Sequence, residues 1–168
     1  MHANTHGAVG VTILTVTYLI VKNDKKAILI GGLLAFSSHY ILDFIGESGY
    51  KSIKEMVLIE FGIYLYGIIL MSSLGKKYLL FTIFGHFMAN LMDYIDKKMY
   101  LALFLPKEFE ITYYFHNKNQ VLYPINYKAT ILAAIFSAIL IGICFLILKL
   151  YKRKDFLLPN TKIRKDMA

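Results

Sequence analysis

Long apolar runs separated by short charged turns divide the chain into five candidate spans, at residues 7–21, 27–45, 56–74, 78–95 and 129–150. Fifteen residues of helix rise about 22 Å against a hydrocarbon core of about 30 Å, so residues 3–6 are expected to extend the first span. Its Val, Ile and Thr content also suits a β-strand. Gly31-Gly32 in the second span would allow close helix contact. Polar turns are expected at 22–26, 46–55 and 75–77, and the longest irregular stretch at 96–128. The pattern predicts an all-α, polytopic helical bundle: one transmembrane domain over residues 1–150, with 96–128 as an outer interfacial segment and 151–168 as a basic cytoplasmic tail.

Composition reinforces that expectation. The 168 residues are 57% hydrophobic and 15% aromatic with a mean hydropathy of +0.53, beyond the range of an ordinary water-soluble domain. A net charge of +8 raises the question of nucleic acid. The cations lie in turns and a tail, however, with no basic helix or aromatic platform to read bases. Assigning the turns alternately to two sides puts twelve of the nineteen Lys and Arg residues with Lys22–Lys26, Lys76-Lys77 and the tail. By the positive-inside rule that side is inside, giving an N-out, C-in protein of the cell (inner) membrane. Residues 1–6 carry no Lys or Arg, so no cleavable signal is expected and the first span should stay attached. Cys144, the single cysteine, lies in the most apolar run and reads as a packing residue.

Topology also carries all five histidines towards the outer side, and two helical stripes there carry candidate chemistry. His39 and Asp43 are one turn apart on an otherwise apolar helix, with Glu47 a further turn on. Ionisable groups in such a helix are costly and point to function, and His with Asp suits zinc or a related divalent cation. His86, Asn90 and Asp93 follow at i, i+4 and i+7 on span four, with Asp96 one turn later. Facing stripes of this kind are how helix bundles assemble metal sites. His6, beside Thr5, stands where span one meets the surface and would complete a His-rich set. Asp43, Glu47 and Glu60 are candidate general bases, and His6, His39, Asp43, His86 and Asp93 are candidate metal ligands. The competing reading makes these stripes hydrogen-bonded seams between helices. For His116, amid Ile111–His116 and Asn117–Gln120, a turn between two short strands is the better reading than a ligand role. No repeat, phosphate loop, nucleophile elbow or His-Glu-x-x-His helix is present.

Three segments resemble the YdjM-like group of small inner-membrane proteins, described as membrane-bound metal-dependent hydrolases. Thr5-His6-Gly7-Ala8-Val9-Gly10 is similar to that group's Thr-His followed by Gly four residues later, and Ser38-His39-Tyr40-Ile41-Leu42-Asp43 to its Ser-His-x-x-x-Asp helix. Gly85–Asp93 is similar in shape to its run into Pro-Asp-x-x-Asp, with Ala89 and Asn90 where Pro and Asp would stand. The resemblance implies a helical membrane protein and metal ligation by His6, His39 and Asp43, with Asp93 beside them. Metal-assisted hydrolysis of a lipid or lipid-linked substrate is then the expected activity. A non-catalytic membrane scaffold or assembly protein is the alternative, followed by a cation or proton transporter.

Overall fold

A computed structural model describes residues 3–45, 47–48, 53–96, 122–123 and 127–157. They form helices α1 (Ala3–Val21), α2 (Asp24–Ile45), α3 (Ile53–Ser72), α4 (Lys76–Ala89), α5 (Leu91–Asp96) and α6 (Tyr127–Leu157). Two dipeptides, β1 (Glu47–Ser48) and β2 (Leu122–Tyr123), pair in parallel with Glu47 opposite Leu122 and Ser48 opposite Tyr123. The architecture is all-α, as expected. The strand alternative for residues 7–21 is replaced by helix α1.

Local signals explain the turns. Lys22 ends α1 in a left-handed conformation, φ 51°, and its N–H donates to the Tyr18 carbonyl at 2.8 Å. Asn23 then caps α2, its side-chain oxygen accepting the Lys26 N–H at 3.0 Å. Gly75, at φ 123°, makes the corresponding turn into α4, a conformation that a Cβ would strain.

Helix α1 is the axis of the bundle, packing against α2, α4, α6 and, more lightly, α3. Several of its inward side chains are small or hydroxylated: Thr5, Ala8, Thr15 and Thr17 are buried, alongside Val11 and Leu14. Against α4 the backbones come so close that a Cβ on Gly10 would overlap the Gly85 carbonyl, while one on Gly85 would meet Gly10 O at 2.9 Å. At the lysine-bearing end Tyr18 packs edge-on to Tyr78, Phe81 and Tyr151. Lys77 Nζ donates there to the Tyr18 hydroxyl at 2.7 Å and to Asp24 at 3.2 Å, and Lys152 Nζ to the Leu74 carbonyl at 2.9 Å.

Two boundaries differ from the sequence expectation. The span at 78–95 is broken at Asn90: the Asn90 N–H is shared between the His86 and Phe87 carbonyls at 3.3 and 3.2 Å, and its Nδ2 also donates to His86 O at 2.9 Å. A side chain that competes for a backbone acceptor disturbs the helical ladder, and the chain restarts as α5. The second difference is that α6 continues through Leu157, well into the stretch expected as tail, because Tyr151 and Lys152 still have bundle partners. Residues 97–121, most of the expected outer segment, and 158–168 lie outside the described residues.

Lys128–Arg153 is the one stretch among the described residues long and apolar enough to cross a membrane, and 22% of its apolar window is buried within the bundle. Thr5–Val21 and Val57–Ser72 are apolar but shorter. Gly10→Leu should force α1 and α4 apart, costing about 1–3 kcal/mol or more by overpacking. Gly62→Ala, where a Cβ meets nothing within 4 Å, should leave the thermal unfolding midpoint in detergent unchanged or higher.

Candidate functional site

A buried polar cluster forms where the N-terminal end of α1, the C-terminal end of α2 and the α4–α5 break meet. His6, His39 and Asn90 are each 1% exposed and Asp93 4%. The imidazoles of His6 and His39 stack, with centroids 4.1 Å apart and planes 27° from parallel. As the last residue of α4, Ala89 presents a carbonyl at a helix end, where intrahelical partners run out. Nδ1 of His39 donates to it at 2.7 Å. A carbonyl only accepts, so that bond assigns a proton to Nδ1 and turns Nε2 towards Asp93, whose Oδ1 is 3.8 Å away.

That orientation is chemically specific. An imidazole whose far nitrogen donates to a carbonyl has its near nitrogen aimed and made more basic, the usual support of a metal-bound histidine. The 3.8 Å separation exceeds a hydrogen bond, yet one ion with bonds of about 2.0–2.2 Å to each atom would span it. Asn90 adds an acceptor, its Oδ1 being buried with no hydrogen-bond partner among the described residues. Thr5 closes the flank towards α6, its hydroxyl oxygen 3.4 Å from Ser137 Oγ, whose proton goes to the Ala133 carbonyl at 2.7 Å.

Of the residues expected at the site, His6, His39 and Asp93 converge from three elements. His86 faces α3 instead: its ring lies against Gly7, where a Cβ would overlap it, and against Tyr64, with centroids 4.6 Å apart. His86 precedes the Asn90 break and Asp93 follows it, and the contacts described for the two are with different neighbours. Asp43 is one turn past His39 on α2, and Glu47 is in β1, but both side chains lie outside the described residues. Glu60 is half-buried on α3, one turn before Tyr64, and Asp96 ends α5. His2 and His116 also lie outside the described residues. Among the described residues no group of three or more His, Cys, Asp or Glu side chains is arranged to hold a metal ion.

Sequence reasoning did not find the Ala89 carbonyl, the breaking role of Asn90 or the Tyr64 contact. A backbone acceptor carries no residue-type signal, and Asn90 looks like one more polar member of a stripe. Tyr64 could have been suspected from its place one turn after Glu60.

His39→Ala removes the donor to a buried carbonyl and should lower stability by about 1–3 kcal/mol in detergent unfolding. Ile41→Ala, at a position on the same helix 65% exposed, should change it by less than about 0.5 kcal/mol. Comparison of the chain with protein-family models, with curated proteins and with solved structures finds no match, so the cluster is interpreted from its own geometry.

Proposed function

We propose that this is a multi-pass membrane protein whose buried His/Asp cluster, at the outward end of the bundle, binds a divalent cation, zinc by the character of its donors. The observation that carries the proposal is the Ala89-anchored His39, with Nε2 turned to Asp93 at 3.8 Å and both side chains buried. His6, stacked on His39, and Asp43, one turn along α2, are the further ligands assigned to it, with Asn90 Oδ1 as a neutral oxygen donor. The resemblance to the YdjM-like group agrees with this donor set.

The bilayer part of the proposal is supported by the outer faces of the helices. Leu29 and Leu33 on α2, Phe61 on α3, Leu80 on α4, and Leu132 and Leu146 on α6 are each more than half exposed. Such a belt has lipid as its natural solvent. Helix α4 alone rises about 21 Å, but with Asn90 and α5 it reaches about 31 Å, a full crossing. The proposed topology therefore has five crossings, N-out and C-in. Under it, a cysteine at Lys54 should be labelled from outside and one at Ser73 from inside, each in a Cys144→Ser background; labelling of both from one side would refute it.

A bound divalent cation would bring the pKa of its water towards neutrality. Asp43, Glu47 and Glu60 are the carboxylates at this end available to take a proton from such a water, and a lipid or lipid-linked ester is the substrate class that can reach it. The bond from His39 to Ala89 also joins α2 to α4, which favours a second reading, a non-catalytic scaffold with the cluster as a packing seam. Metal analysis of detergent-purified protein separates the two. About one divalent ion per chain is expected, falling at least about tenfold in His39→Ala with Asp93→Ala. Folded wild-type protein without metal would leave only the packing role.

A further inference from the structure

The opposite end of the bundle carries an unbalanced ring of positive charge. Lys22, Lys25, Lys26, Lys76, Lys149 and Arg153 are all exposed. The one acid at this end whose side chain is described, Asp24, is engaged by Lys77, which is itself held by the Tyr18 hydroxyl and lies 4.3 Å above the Tyr18 ring. Lys77 thus absorbs the local negative charge and leaves the six outer cations uncompensated among the described side chains.

Four of the helical cations in this ring also stand beside an exposed aliphatic side chain. Lys25 is one turn from Leu29, 65% exposed, and Lys26 one turn from Ile30, 42% exposed. Lys76 is one turn from Leu80, 51% exposed, and Lys149 is one turn from Leu146, 56% exposed. A ligand that satisfies both members of every pair must offer a negative group and a hydrocarbon chain a few ångströms apart. Nucleic acid would leave the aliphatic members wet, and these turns offer no aromatic platform for bases. We infer that this rim selects anionic phospholipid, the phosphate on the lysines and the acyl chains along the neighbouring Leu and Ile side chains. The inference rests on the membrane reading above.

The test is to reconstitute the full chain into bilayer discs containing equal amounts of phosphatidylcholine and phosphatidylglycerol, then to extract it gently and quantify the lipid retained. Phosphatidylglycerol should exceed phosphatidylcholine, on the order of fivefold per engaged lysine at low salt. The excess should collapse at about 1 M salt, where the screening length is about 3 Å. It should also fall at least about tenfold in Lys25→Gln/Lys26→Gln/Lys76→Gln/Lys149→Gln. The salt series on wild-type protein decides the matter if that variant does not fold. Equal retention of the two lipids by inserted wild-type protein overturns the inference and leaves the membrane reading intact. Failure to enter the discs overturns both, and displacement of phosphatidylglycerol by an oligonucleotide at equal phosphate concentration assigns the rim to nucleic acid instead.

Discussion

The near-contact of two backbones at Gly10 and Gly85 is what the remainder of the bundle depends on. Hydrocarbon gives apolar side chains no reason to leave it, so helices in a bilayer are held by close packing and by hydrogen bonds between them. With α1 pressed onto α4, Gly7 is brought against His86, and Leu14 meets Gly31 of α2. His6 is carried to the side where it can lie on His39. A larger residue at either glycine would open the seam along its length. The His39 bond to Ala89 would then be lost with it, because that bond crosses from α2 to the end of α4.

The two ends of the bundle handle polarity in opposite ways. At the His/Asp end, ionisable and amide groups are sealed from water, and desolvation makes each unpaired acceptor costly. Under the proposed function, a divalent cation between His39 and Asp93 would offset that cost. At the lysine end the charges stay at the surface, where their hydration is retained and mutual repulsion is screened. Only Lys77 is drawn in, and it finds a hydroxyl, a carboxylate and an aromatic face together. One end is therefore suited to holding an ion in place and the other to meeting a charged surface.

Much of the helix inventory could be read from hydropathy, because apolar runs and charged turns are dictated by solvent. The convergence of His6, His39 and Asp93 was also legible, since helical periodicity and alternating topology together confine them to one end. What escaped depended on backbone geometry. Whether Asn90 continues a helix or breaks it turns on a competition between its side chain and its own N–H for the His86 carbonyl, and nothing in residue type decides that. The break lies between His86, which meets Gly7 and Tyr64, and Asp93, which lies near His39. The end of α6 was misjudged for a related reason, since charged residues after Lys149 resemble a solvated tail until Tyr18 and Leu74 are seen to receive Tyr151 and Lys152.

Helix α1 comes early in the chain, yet several of its polar contacts are supplied by the last helix. Thr5 waits for Ser137, Thr12 for the Cys144 thiol and Tyr18 for Tyr151, partners more than a hundred residues downstream. Lys152 likewise reaches back to the end of α3. Until α6 is in place, the hydroxyl-bearing face of α1 therefore lacks these partners. Helices α2 and α4 cover the other sides of α1, and α6 acts as the bolt that closes the assembly.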